Sequence, residues 1–186
     1  AQTVKIISDS TCDLSKELVE KYDITILPLH ILLGEDEYRD GVDITPEEIF
    51  RWSDENKTTP KTSAPSLTEA MEVMQPFVEE GREIICFSIS DSMSTSGNVM
   101  RLAAEELEAS DKVTIINSAN LSTGIGQHLP FAECTLHTVN MGIFRVHLVK
   151  TELKSYNVRI SKADAMPIAS PNTLMKLNFF RFIRFR

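Results

Sequence analysis

The chain has 186 residues, 42% of them apolar and 25% charged, which is typical of a soluble globular protein with one domain or with one domain and part of another. Residues 1–126 carry 10 Lys and Arg against 24 Asp and Glu, whereas residues 127–186 carry 9 against 3, so the net charge of −8 conceals a reversal of sign. The acidic part disfavours a nucleic acid as partner, because phosphate contacts need Lys and Arg. The basic end, which is rich in Phe, leaves a peripheral membrane contact open.

Neither membrane insertion nor disulfide bonding is indicated by the sequence. No apolar run approaches the roughly 18 residues of a membrane-spanning helix, and residues 1–10 show no signal-peptide pattern. The three cysteines, Cys12, Cys86 and Cys134, are far apart and odd in number. This pattern favours a reducing, cytoplasmic setting in which the thiols are buried as apolar fillers.

The first 126 residues alternate between short apolar strands and helices. Short strands are predicted at residues 4–8, 25–29, 84–88 and 113–116, and helices at residues 16–22, 45–55, 66–78 and 100–109. A hairpin or tight loop is expected around residues 34–36. The alternation predicts an α/β fold in which helices flank a parallel sheet.

Two helix starts are especially clear in the sequence. Residues 45–48 and 66–69 both place a hydroxyl residue three positions before a glutamate, which is the pattern of a capping box. Pro76 falls inside the second helix, so we expect a kink or an early end there. Leu102 is assigned to the apolar stripe of the last helix.

Four segments rich in serine and threonine follow the predicted strands, at residues 8–11, 62–66, 88–97 and 117–126. Ligands of open parallel sheets bind at the carboxyl ends of the strands. Hydroxyls, backbone N–H groups and helix N-termini together suit an anionic oxygen group. The alternative, that these residues only cap helices and turns, also stays open at this point.

Motifs of several enzyme classes are missing from the sequence. There is no phosphate-binding P-loop, no dinucleotide-binding glycine pattern and no nucleophile elbow, and the four histidines show no metal-binding spacing. We therefore predict neither catalytic residues nor a metal site. His30 is interpreted as a core or edge histidine, Asp9 as a group that orients loop backbone, and residues 40–43 as a turn.

Five ordered segments resemble the DegV family, at residues 4–14, 26–31, 38–44, 62–66 and 117–126. The resemblance covers the N-terminal part of that family, in which two α/β domains clamp a long acyl chain. It implies a bacterial fatty acid-binding protein that is not itself an enzyme and needs no cofactor. It further implies that a separate ATP-dependent fatty acid kinase phosphorylates the bound carboxylate for phospholipid synthesis.

The resemblance also implies roles for individual residues. Thr62 and Ser94 would hold the carboxylate of a long-chain fatty acid, and Thr95 would add a backbone N–H. The other hydroxyl residues would line the entrance or brace these groups: Ser10, Thr11, Ser63, Ser118 and Ser122. The family pattern has glycine where this chain has Thr95, so we expect an altered backbone approach there. Burial of the tail would contribute about 0.8 kcal/mol per CH₂ group.

The C-terminal part departs from the family. We expect a DegV-like domain over residues 1–160, well matched to about residue 126, and a divergent, truncated or frame-shifted tail over residues 161–186. The second domain would then be missing or truncated. Half a clamp would expose apolar surface, which predicts weak ligand binding, association or low stability. Two alternatives stay open: a truncated member that binds little, and a hydrolase or phosphotransferase that uses Asp9 and the serine loops.

Overall fold

The computed structural model describes residues 4–126. Predictions for residues 127–186, which include Cys134 and the C-terminal tail, lie outside these described residues. The strands are β1 (Lys5–Asp9), β2 (Ile24–Leu27), β3 (His30–Leu33), β4 (Asp36–Arg39), β5 (Lys61–Ser63), β6 (Ile84–Ser88) and β7 (Val113–Asn117). The helices are α1 (Lys16–Lys21), α2 (Pro46–Asn56), α3 (Leu67–Glu79), α4 (Ser96–Glu106) and α5 (Thr123–Gly126), and a 3-10 turn spans Ser10–Cys12.

Four parallel strands form the main sheet, in the order β2-β1-β6-β7. Every residue of the two central strands, β1 and β6, is buried, as expected where both faces of a parallel sheet are covered. Ile85 and Phe87 of β6 pack on one face with Val19 of α1. On the other face, Met74 of α3 and Met100 of α4 pack against the sheet. The predicted α/β fold with helices flanking a parallel sheet is therefore confirmed.

Both predicted capping boxes are present. The Thr45 hydroxyl accepts from the Glu48 N–H at 3.4 Å, and the Glu48 carboxylate accepts from the Thr45 N–H at 2.8 Å. Ser66 and Glu69 make the same reciprocal pair at the start of α3. An early end at Pro76 is wrong, since α3 continues to Glu79. Pro76 lies in the last turn and is exposed, so its missing N–H affects a single hydrogen bond of the helix.

Helix α4 differs from its predicted span. It begins at Ser96 rather than Met100 and ends at Glu106 rather than Ala109. The early start was missed because Ser, Gly and Asn at positions 96–98 are weak helix formers. Leu102 does not lie in the apolar stripe, because it is 43% exposed, whereas Ala103 and Ala104 are buried.

A second sheet was not predicted from the sequence. The expected hairpin of β3 and β4 is present, and β5 pairs antiparallel with the other side of β3. Residues 62 and 63 therefore lie within a strand of this small sheet and not in a loop after a parallel strand, which corrects the prediction. A separate apolar cluster supports the sheet, formed by Ile31, Leu33, Ile44 and Ile49 with Tyr38 and Trp52.

Candidate functional site

Three of the four predicted hydroxyl segments meet at the carboxyl edge of the parallel sheet. The Ile89 N–H donates to Asp9 Oδ2 at 2.8 Å, which joins the end of β1 to the loop after β6. The Ser118 N–H donates to the Ser88 carbonyl at 3.1 Å, and the Ser90 N–H to the Asn120 carbonyl at 3.0 Å. These bonds fix the loops after β1, β6 and β7 side by side. We call this edge the hydroxyl rim.

Asp9 organises the hydroxyl rim, as the sequence predicted. Its Oδ1 accepts from the Thr11 hydroxyl at 2.6 Å, and the backbone N–H of Thr11 also donates to this carboxylate. Burial raises the pKa of Asp9 to about 6, against the lowering effect of the hydrogen bonds from Thr11 and Ile89. With both oxygens occupied inside the protein, Asp9 acts as a structural brace of the loops.

Ser10 joins the hydroxyl rim to the small sheet. Its Oγ accepts from the Leu29 N–H at 3.1 Å and also bonds to the side chain of Asp40. Burial is the largest cause of the raised pKa of Asp40, and the bond to Ser10 opposes it. Leu29 directly precedes β3, and β3 pairs with β5 so that His30 lies opposite Ser63. The β5 hydroxyls of Thr62 and Ser63 are thus connected to the hydroxyl rim through β3 and Ser10.

The serine-rich loop after β6 leads into the N-terminus of α4. Ser94 Oγ lies 2.9 Å from Ser96 Oγ and accepts from the Ser96 N–H at 3.2 Å. The first turn of a helix presents backbone N–H groups and the positive end of the helix dipole. The loop therefore brings a hydroxyl pair and these N–H groups together at the predicted carboxylate-binding position.

The replacement of the family glycine at position 95 does not strain the backbone. Thr95 has φ −88° and ψ 5°, which any residue can adopt, and its side chain is exposed. The tight approach lies two residues later, at the buried Gly97. A Cβ atom there would come within 2.6 Å of Asp91 Oδ1 and 2.7 Å of Ser88 Oγ. The chain thus needs glycine at position 97 for the packing of α4 against β6.

The loop after β7 holds a specific and locally strained conformation. Ala119 and Ser122 both adopt the left-handed region, with φ of 51° and 56°. Ser118 stabilises the turn, since its Oγ donates to the Asn120 carbonyl at 3.2 Å and accepts from the Asn120 N–H at 3.1 Å. Non-glycine residues in this region cost about 1 kcal/mol or more and concentrate at functional sites.

The eight predicted ligand-binding residues fall into three groups in the structure. Ser10, Thr11 and Ser118 use their hydroxyls to brace the loops. Thr62 and Ser63 are exposed on β5, and Thr95 is exposed at the start of α4. Ser94 is partly buried and paired with Ser96, whereas Ser122 Oγ is buried with no hydrogen-bond partner in residues 4–126.

Apolar side chains lie next to the polar groups of the hydroxyl rim. Met93, in the serine-rich loop, and Leu121, in the loop after β7, are partly buried and pack against the core together with Leu14. An alkyl chain whose head group sits at the hydroxyl rim would therefore meet apolar atoms beside it.

The two described cysteines, Cys12 and Cys86, are free and buried, as predicted.

His30 is the main polar residue whose contacts the sequence did not reveal. Its Nδ1 lies 2.7 Å from Glu37 Oε1, and its Nε2 lies 2.8 Å from Glu69 Oε2. Glu37 lies across the predicted hairpin and Glu69 lies 39 positions away on α3, and neither spacing by itself indicates an ion pair. Residues 41–43 form the expected turn, with Asp43 paired to Arg39 at 2.7 Å.

Two kinds of site find no support within residues 4–126. No group of three or more His, Cys, Asp or Glu side chains in this range is placed to hold a metal ion. None of the helices in the same range has the length and apolar character needed to cross a membrane.

Comparison with known proteins extends these observations. The sequence matches the family described as "Uncharacterised protein, DegV family" over residues 3–133. A DegV domain-containing protein from Clostridium perfringens is 42% identical over 123 residues, which cover 66% of this chain and 44% of that protein.

Solved structures share the fold. A stearic acid-binding protein from Eubacterium ventriosum is 34% identical, with a TM-score of 0.74 over 82% of this chain and 52% of its own. A DegV family protein from Thermus thermophilus, described for its fatty acid binding, is 28% identical, with a TM-score of 0.74 over 83% of this chain and 53% of its own. The chain thus spans about half the length of the relatives that it matches. Because the family match covers well over half of the 186 residues, the chain belongs to the DegV family.

Proposed function

We propose that this chain binds the carboxylate of a long-chain fatty acid at the hydroxyl rim. The observation that supports this most is the junction of the serine-rich loop with the start of α4, where Ser94 and Ser96 lie 2.9 Å apart. A carboxylate gains charge-assisted bonds from hydroxyl and backbone N–H donors. The stearic acid-binding relative from Eubacterium ventriosum supports the same ligand class.

The eight predicted residues take separate roles in this proposal. Ser94 and Thr62 contact the carboxylate and Thr95 donates a backbone N–H, while Ser63 lines the entrance and the buried Ser122 shapes the loop after β7 through its left-handed backbone. Ser10, Thr11 and Ser118 hold the loops through the bonds given above. The acyl tail lies against apolar side chains such as Met93 and Leu121. The family resemblance implies a second domain that would cover the rest of the tail.

Binding rather than catalysis is the proposed activity of the chain itself. A hydrolase or phosphotransferase would need Asp9 as a base or nucleophile, yet both Asp9 oxygens accept bonds from Thr11 and Ile89. We propose that a separate ATP-dependent fatty acid kinase acts on the bound carboxylate in the bacterial cytoplasm, and that the acyl phosphate enters phospholipid synthesis. Acyl phosphate should then form only when both the kinase and ATP are added.

A head-group comparison tests the proposed function. The purified 186-residue chain is titrated with oleate and with oleyl alcohol. The two compounds share the same tail, but the alcohol has a hydroxymethyl group in place of the carboxylate. We expect oleate to bind at least about tenfold more tightly, the scale of one or two charge-assisted bonds. Equal affinity would contradict a carboxylate site, and no binding of either compound would favour a family member that binds little ligand.

A further inference from the structure

His30 forms a bridge between two carboxylates that belong to different elements. Nδ1 lies 2.7 Å from Glu37 of β4, and Nε2 lies 2.8 Å from Glu69 of α3. The His30 and Glu69 side chains are 17% and 27% exposed, whereas Glu37 is 54% exposed. Solvent therefore screens the contact with Glu37 more strongly, and the contact with Glu69 is the more important of the two.

The geometry of the bridge requires a particular protonation state. A neutral imidazole has one N–H and can donate to only one carboxylate, whereas the cation donates from both nitrogens. Both nitrogens of His30 lie within hydrogen-bond distance of a carboxylate oxygen. Only the protonated imidazole satisfies both contacts.

The Glu69 carboxylate links this bridge to the segment that carries the proposed ligand groups. Glu69 Oε2 also accepts from the Ser66 N–H at 2.8 Å and from the Ser66 hydroxyl at 2.7 Å. Ser66 follows β5 closely, and Ser63 of β5 lies opposite His30 on β3. Strand β3 thus reaches the start of α3 by two routes: directly through His30 and Glu69, and through β5, which pairs with β3 and leads to Ser66.

Other charges face the bridge from the neighbouring turn. Asp43 acts electrostatically on His30, and Arg39 on Glu69, but Arg39 and Asp43 are bound to each other at 2.7 Å. Glu37 and Glu69 are the carboxylates that contact the imidazole directly. The protonation of His30 is thus governed mainly by Glu37 and Glu69.

We propose that His30 is a positioning residue, whose protonated imidazole ties β3 and β4 to the start of α3 and so fixes Thr62 and Ser63 of the adjoining strand β5 for the ligand carboxylate. The inference rests on the proposed function and adds a dependence on pH. Neutral His30 releases at least one of its two contacts, and β5, an edge strand of three exposed residues, loses part of its support.

The pH window follows from the directions of the pKa shifts. Burial lowers the pKa of His30, but the bonds and charges of Glu69 and Glu37 outweigh it and raise the pKa above 6.5. Burial raises the pKa of Glu69, but the bonds from Ser66 and His30 bring it below 4.5. The support given by His30 is complete below its ordinary pKa and is lost as the pH rises through the raised value. The support given by Glu69 is lost only when the pH falls through the lowered pKa of that carboxylate.

The test uses hydrogen exchange of the 186-residue chain without ligand, and oleate affinity as a second readout. Only alternate amides of an antiparallel edge strand bond to the neighbouring strand, so the protection factor of the β5 amide that bonds to β3 is measured at about pH 5.5 and about pH 8.5. Protection should fall roughly three- to tenfold at the higher pH, the scale of a partly exposed charge-assisted contact. Oleate affinity should fall by a similar factor.

Two variants and a control make the test specific. His30→Gln should abolish the pH dependence of protection in β5 and leave, in the oleate affinity, only the part that comes from Asp9, whose pKa of about 6 lies in the same range. Glu69→Gln should weaken the pH dependence while keeping the cap of α3, because glutamine also completes a capping box. Glu35→Gln, at an exposed position of the hairpin turn, should behave like the unmodified chain.

The outcomes separate this inference from the proposed function. In the unmodified chain, equal protection at the two pH values would overturn the positioning role, and so would a pH dependence that His30→Gln leaves unchanged. Protection that changes while oleate affinity stays constant would also overturn it, since the bridge would not affect the ligand site. If oleate binds at neither pH, the proposed function and its pH-dependent ligand site both fail, whereas the exchange data still show whether the bridge holds β5.

Discussion

Asp9 and Ile89 are 80 positions apart in the sequence, yet the Ile89 N–H donates to Asp9 Oδ2 at 2.8 Å. This bond ties the carboxyl end of β1 to the first residue after β6. The serine-rich loop begins directly after Ile89, so its starting point is set by a buried carboxylate. The arrangement of the hydroxyl rim therefore depends on Asp9, although Asp9 is not expected to touch the ligand.

Asp9 should make the stability of the protein depend on pH. Its folded pKa of about 6 lies above the ordinary 3.8, so this group stabilises the fold fully below 3.8 and loses that contribution as the pH rises through 6. Asp9→Asn should remove this dependence, which amounts to about 2 kcal/mol between pH 7 and pH 4. Urea unfolding of both proteins across this range measures it. Parallel curves for the two proteins would contradict the raised pKa.

Replacing Ser88 by alanine should make the folded protein more stable. Its Oγ is buried and has no hydrogen-bond partner within the described part of the chain. Ser88→Ala removes an unsatisfied hydroxyl and should raise the free energy of unfolding by about 0.5–1 kcal/mol. Ser118→Ala is the matched control and should lower it by about 1 kcal/mol, because that hydroxyl has two bonds to Asn120. Equal effects of the two changes in urea unfolding would contradict the prediction.

Gly97→Ala should destabilise the protein although alanine favours helices. The new Cβ would lie 2.7 Å from Ser88 Oγ and 2.6 Å from Asp91 Oδ1. Asp91 is exposed and can move, but Ser88 is fully buried, so we expect a loss of about 1–3 kcal/mol.

A double-mutant cycle with Ser88→Ala identifies the cause of that loss. Removing the Ser88 hydroxyl should recover part of the loss, because the nearest atom of residue 88 would then be its Cβ at 3.3 Å, and the exposed Asp91 carboxylate can move. If the two changes are strictly additive in urea unfolding, the contact between positions 88 and 97 is not the cause.

The sequence predicted those parts of the fold that have strong local signals. The capping boxes at Thr45 and Ser66 were recognised because each needs only residues within one helical turn. Strand β6 was recognised because both of its faces are buried, which favours a continuous apolar run, and β1 was recognised by the β-branched residues at its start. The prediction that the loops meet at one edge of the sheet followed from the parallel direction of the strands.

Features that depend on distant partners escaped prediction. Strand β5 has only three residues, all polar and exposed, and it forms because β3 offers a free edge. The two carboxylates of His30 come from residues 37 and 69, and no sequence pattern links them. The site residues Thr62 and Ser94 came from family resemblance, and their contact with a ligand stays a prediction.

The most direct test of the central claim is the preference for oleate over oleyl alcohol in variants of the two proposed carboxylate ligands. Thr62→Ala and Ser94→Ala should each reduce that preference about tenfold or more, because a charge-assisted bond contributes about 1.5–3 kcal/mol. Ser110→Ala, at an exposed position just before β7 and so at the opposite edge of the sheet, should leave it unchanged. If Thr62→Ala and Ser94→Ala both keep the full preference for the acid, the hydroxyl rim does not bind the carboxylate.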